Sequence, residues 1–133
     1  ARLFSEGDLA WLRPDPAASD KVACYLPGHH REWAFQLAVP DSVTTGTWKV
    51  YVVARVDPGM PAGSTAFTAG VYDTAGGRGL GGIQPTGAQA GEGYRTYLLA
   101  TGSLPKGAYV WAAPTETGAK GVWIDRVLFV RVA

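Results

Sequence analysis

A single cysteine, Cys24, in 133 residues excludes an internal disulfide and a cysteine-based zinc cluster. It reads instead as a small core hydrophobe. Charged side chains are scarce, at 17%, and 12 Lys and Arg balance 11 Asp and Glu along the chain. No field of one sign exists to attract nucleic acid or anionic lipid, so a neutral partner fits better. No apolar run approaches the ~20 residues of a membrane-spanning helix, and the first residues lack the basic and apolar regions of a signal peptide. No segment holds helical periodicity over the length that a convincing helix needs. The abrupt start at Ala1 into patterned sequence is what a module cut from a longer protein would show.

What the chain has in abundance is apolar residues, 47% of the total, together with 18 Gly and nine Pro. Gly and Pro fall between short apolar runs and follow no triplet repeat, so they punctuate turns. Apolar and turn-rich composition predicts an all-β chain, and the length suits one domain, residues 1–133, with one continuous core.

Strands are predicted at Leu3 to Leu12, ending at Arg13-Pro14-Asp15-Pro16, and at Lys21 to Leu26, closed by Pro27-Gly28. Glu32 to Val39 alternates with Trp33, Phe35, Leu37 and Val39 on one face. The clearest signal is Thr47 to Asp57, where Trp48, Val50, Val52, Ala54 and Val56 share a core-facing side and Lys49, Tyr51, Val53 and Arg55 the other. Thr65 to Tyr72, a short strand near Leu80 to Gln84, Tyr94 to Ala100, Ala108 to Ala113 and Val122 to Val132 complete the set. Gly76 to Gly93, with Arg78 and Gln84, reads as an irregular stretch suited to a lid or to following a long ligand. Eight or nine strands without crossover helices must pair antiparallel, which predicts a two-sheet antiparallel β-sandwich of jelly-roll topology, with an immunoglobulin-like sandwich as runner-up.

Three stretches carry a family likeness: Trp33-Ala-Phe-Gln-Leu followed by Gly46-Thr-Trp48-Lys-Val-Tyr-Val-Val, then Leu104-Pro-Lys-Gly107-Ala-Tyr-Val, and finally Val122-Trp-Ile-Asp125-Arg-Val-Leu-Phe-Val. In order and spacing they resemble the galactose-binding-like β-sandwich family, which includes many carbohydrate-binding modules. The resemblance implies a non-catalytic, secreted or cell-surface module. Such a module binds a neutral glycan for a glycoside hydrolase or polysaccharide lyase on the same polypeptide. It further implies a structural calcium held by Glu6 and Asp125, completed by backbone carbonyls and Asp8. The alternative for Asp125 is a bond to Arg126 or to backbone, with Glu6 solvated.

Sugar recognition needs flat apolar faces beside planar polar groups. Trp33 and Trp48 lie in phase with aliphatic residues and are assigned to the core. Trp11 precedes Arg13 near a strand end, and Tyr25 leads into Pro27-Gly28-His29-His30-Arg31-Glu32. That loop gathers two imidazoles, a guanidinium and a carboxylate, either as a binding-site wall or as a solvated turn. Adjacent His29 and His30 make a poor metal pair without a third ligand. A second candidate is the outward face of the central strands, where Tyr51 and Arg55 are expected to meet Tyr97 or Trp111; that face could equally pack on a neighbouring domain.

No catalytic pattern emerges. Asp15, Asp41, Asp57 and Asp73 sit at turn positions, no Gly-x-Ser-x-Gly elbow is present, and Gly76-Gly77-Arg78-Gly79 lacks the Lys-Ser/Thr ending of a phosphate loop. The chain is therefore expected to be no enzyme by itself. It should be a glycan-binding module or, alternatively, a structural or protein-interaction sandwich without sugar binding.

Overall fold

A computed structural model describes residues 2–4, 11–14, 16, 22–27, 35–57, 63, 65–87, 89–90, 93–114 and 121–132. Ten strands run along them: β1 (Arg2–Phe4), β2 (Trp11–Pro14), β3 (Val22–Pro27), β4 (Phe35–Ala38), β5 (Trp48–Val56), β6 (Phe67–Asp73), β7 (Arg78–Ile83), β8 (Arg95–Gly102), β9 (Ala108–Pro114) and β10 (Gly121–Arg131). They form two five-stranded sheets, ordered β1-β4-β9-β6-β7 and β2-β3-β10-β5-β8. All ladders are antiparallel.

The pairing is nested: β3 with β10, β4 with β9, β5 with β8 and β6 with β7. This is the order of one long hairpin centred between β6 and β7, whose successive rungs are dealt alternately to the two sheets. That is the jelly roll.

Period-two patterning decides which side chains meet between the sheets. Val50, Val52, Ala54 and Val56 of β5 face Phe67, Ala69 and Val71 of β6 and Val110 and Ala112 of β9 across a core that also takes in Leu99, Val122 and Ile124. Trp48 packs partly buried against this core, as its phase predicts, and its indole Nε1 donates to the Thr45 carbonyl at 2.8 Å. Trp33 lies outside the described residues.

Two expectations change. Leu3 and Phe4 belong to β1 and Trp11 and Leu12 to β2, strands of opposite sheets rather than one strand. The short strand expected near Leu80 to Gln84 is found as β7, which starts two residues earlier and pairs with β6 from Ala69↔Ile83 to Asp73↔Arg78, so this part of the glycine-rich stretch is sheet and not irregular. A Cβ on Gly81 would collide with the Leu99 carbonyl and stand 2.9 Å from the Ala100 Cβ, so glycine there lets the edge of one sheet close on the other.

Tyr97 also departs from expectation. The β5–β8 register sets it opposite Val52, in phase with the core, where its ring meets Phe67 edge-on at 5.5 Å. Its hydroxyl is buried without a hydrogen-bond partner. Burial, opposed by nearby Arg95, lifts the phenol above its ordinary 10.0. The neutral ring's contribution is intact below pH 10 and is lost as pH rises through the raised value. Tyr97→Phe should therefore gain up to about 1 kcal/mol and show a smaller fall in stability above pH 10, read by denaturant titration across that range. A variant less stable than the parent would mean that the hydroxyl is satisfied in solution.

Candidate functional site

Outward-facing residues of the sheet β2-β3-β10-β5-β8 build one connected row. The ladders set Trp123 of β10 directly between Tyr25 of β3 and Arg55 of β5. Trp123 is out of phase with buried Val122 and Ile124, so its indole stands on the outer side of the sheet. The Tyr25 and Trp123 rings lie 4.7 Å apart at 53°. The Arg55 guanidinium lies 4.5 Å from the Trp123 ring centroid and 5.5 Å from that of Tyr94, just ahead of β8.

Asp57, immediately after β5, ties the row together. Trp123 Nε1 donates to its Oδ1 at 2.9 Å, the Tyr25 hydroxyl approaches its Oδ2 at 3.5 Å, and Arg55 pairs with it at 3.8 Å. The Arg55 and Asp57 side chains are only 16% and 26% exposed, so water screens these contacts less than it would on an open surface. The Asp57 amide donates to the Gly121 carbonyl at 3.0 Å, anchoring the carboxylate to the start of β10. Gly121 leaves room for this cluster, because a Cβ there would displace the Tyr25 ring and hydroxyl and stand 2.6 Å from Asp57 Oδ2.

Further along the same face, Tyr51 stands between Leu98 of β8 and Leu128 of β10. Leu98 is 45% exposed. The four residue steps from Tyr51 to Arg55 span about 13 Å of strand. The face thus offers an aromatic, hydrogen-bonding end and an apolar end, joined by Val53 and Thr96.

The residues singled out in the sequence are distributed as follows. Tyr25, Arg55 and Tyr51 share this face, and Trp11 is the β2 residue paired with Tyr25 in the ladder. Trp111 does not join them: β9 lies in the other sheet, between β4 and β6, so Trp111 is on the opposite side of the sandwich from Tyr51 and Arg55. His29, His30, Arg31, Glu6 and Asp8 lie outside the described residues. Asp125 sits at a bulge in β10, 3.9 Å from the Arg126 Nε. Among the described residues no cluster of three His, Cys, Asp or Glu could hold a metal.

Trp123, Asp57 and Tyr94 were not singled out from the sequence as site residues. Trp123 carried a readable signal, its phase between Val122 and Ile124. Asp57 reads from sequence as a turn residue, and its role depends on a partner 66 positions away.

No protein-family model matches the chain, and no curated protein matches it. Solved structures do share its fold, the β-sandwich of carbohydrate-binding modules. The C-terminal family 22 carbohydrate-binding module of Clostridium thermocellum Xyn10B is 17% identical, with a TM-score of 0.61 over 92% of this chain and 80% of that one. The CBM22-1 xylan-binding domain of Paenibacillus barcinonensis Xyn10C is 15% identical, with a TM-score of 0.61 over 98% of this chain and 87% of that domain. An arabinose-bound GH51 α-L-arabinofuranosidase superposes at 15% identity and a TM-score of 0.58 over 96% of this chain, which spans 23% of the enzyme's length.

Proposed function

We propose that the domain binds a neutral glycan along the outer face of the sheet β2-β3-β10-β5-β8. It would act as a non-catalytic module for a glycoside hydrolase or polysaccharide lyase on the same polypeptide, secreted or held at the cell surface. The observation that carries the reading is Trp123, hydrogen-bonded to Asp57 and packed between Tyr25 and Arg55. An indole fixed at its nitrogen and flanked by Tyr25 and Arg55 forms with them a rigid aromatic row against which the C–H side of a pyranose can pack, at little entropic cost on binding. Arg55 and Asp57 beside it supply planar donors and acceptors for ring hydroxyls. Support also comes from the fold's occurrence in a xylan-binding domain and in a family 22 module whose cleft binds ligand. A weak module of this kind works by raising the local substrate concentration of its attached catalytic domain.

Affinity electrophoresis in native gels containing soluble xylan, galactan or mannan tests the proposal. Retardation in at least one gel is expected; migration unchanged in every gel, with no spot above background on a glycan array, overturns it.

The structural calcium of Glu6, Asp8 and Asp125 belongs to the same proposal. The donor set suits a hard cation, and Arg126, whose side chain is 52% exposed, can turn to solvent when Asp125 binds metal. Saturating calcium should then raise the thermal midpoint by about 5 °C or more over the EDTA-treated protein. Equal midpoints would remove calcium from the reading.

A further inference from the structure

The second sheet also presents an aromatic residue to the outside. Trp111 alternates with fully buried Val110 and Ala112, which turns its indole to the outer face of the sheet β1-β4-β9-β6-β7. In the ladders its row continues through Gly70 of β6 to Gly82 of β7. Two adjacent glycines leave bare backbone beside the indole. The indole covers the first of them, its Cζ2 standing 3.0 Å from where a Gly70 Cβ would be, while Gly82 remains exposed. The result is a hollow of about 510 Å³ lined by Trp111, Gly82, Thr68, Ala69, Ile83 and Gln84.

The chemistry of this hollow is specific. Its described lining holds an aromatic wall, a hydroxyl and an exposed amide, and no charged side chain. One row along the strands from Trp111, about 7 Å by backbone spacing, Tyr109 and Tyr72 face each other across the β6–β9 ladder with ring centroids 5.7 Å apart. An apolar plate flanked by neutral donors and acceptors over a side-chain-free floor complements a flat, uncharged, polyhydroxylated ring. It offers no counter-ion to a phosphate, a uronate or a charged peptide.

We infer that the Trp111 hollow is a second, independent binding site for a neutral glycan, on the opposite side of the sandwich from the Trp123 row. The ligand class rests on the glycan-binding reading proposed above; the site rests on its own geometry. With one site on each outer face, the domain is divalent and bridges two glycan chains rather than gripping one. The polar group that gives the hollow its orientation is Gln84, whose exposed side chain lines it together with Thr68, just beyond the Ala69↔Ile83 end of the β6–β7 ladder.

The indole N–H signals of the tryptophans in a ¹⁵N-correlated NMR spectrum, assigned by single Trp→Phe variants, report on the two faces separately. The protein is titrated with mixed neutral xylo-, galacto- and manno-oligosaccharides. The Trp111 signal is expected to shift in a saturable way, and to do so equally in a Trp123→Ala background. Gln84→Ala should weaken the Trp111 response at least tenfold and leave the Trp123 response unchanged. A Trp123 signal that moves while Trp111 stays still overturns the second site and leaves the first standing. A Trp111 signal that moves while Trp123 stays still removes the first site and keeps this one. If neither moves, both are overturned, and so is the second site if the Trp111 shift disappears in Trp123→Ala.

Discussion

Replacing Phe67 with alanine is expected to cost about 3–5 kcal/mol of stability. Among the described residues Phe67 is the bulkiest fully buried side chain, and it stands where β6 faces the other sheet. Truncation removes the transfer free energy of the ring and leaves a cavity between two sheets, whose backbone ladders resist closing in. It also ends the edge-on contact with Tyr97, which contributes about 0.5–1.5 kcal/mol beyond area burial. Against a total of roughly 5–15 kcal/mol for a domain, the variant should retain only a minor part of the parent stability. In urea titration the midpoint should fall while the slope stays the same. Phe67→Leu, which keeps most of the volume, should lose under about 1.5 kcal/mol. An alanine variant within about 1 kcal/mol of the parent would show that the sheets collapse onto the gap and that Phe67 does not set their spacing.

The difference between β5 and β7 shows what could be read in advance. The strand predicted at Thr47 to Asp57 is found at Trp48–Val56, because branched apolar residues at every second position leave a single register that buries them. Strand β7, Arg-Gly-Leu-Gly-Gly-Ile, has few side chains to alternate, so its pairing with β6 is written in backbone sterics rather than in hydrophobic phase. The site divides along the same line. That Tyr51 and Arg55 share the outer side of β5 follows from local phase alone. Whether Trp111 joins them depends on which strands nest together, and that is fixed by long-range pairing between β4, β9 and β6. Asp57 shows the same limit. A carboxylate at a strand end is ordinarily explained by turn chemistry, and only the folded ladder brings the Trp123 and Tyr25 donors to it.

Trp123→Ala should abolish gel retardation on the glycan that the parent binds, weakening affinity by about thirtyfold or more, on the scale of a central aromatic anchor. The same change should cost about 2–4 kcal/mol of stability, because Asp57 loses its 2.9 Å donor and Tyr25 and Arg55 lose the ring between them. Folding and binding are separated by Trp123→Phe, which keeps an apolar plate against Tyr25 but removes the indole N–H. If Asp57 serves to lock the ring in place, Trp123→Phe should stay folded and bind with an intermediate loss, because its plate is no longer fixed. Asp57→Asn should retain more affinity than Asp57→Ala, since the amide oxygen still accepts from the indole. A Trp123→Ala protein that is folded by near-ultraviolet circular dichroism and retarded like the parent would remove the row from the binding site. The Trp111 face would then be the sandwich's remaining aromatic surface of this kind among the described residues.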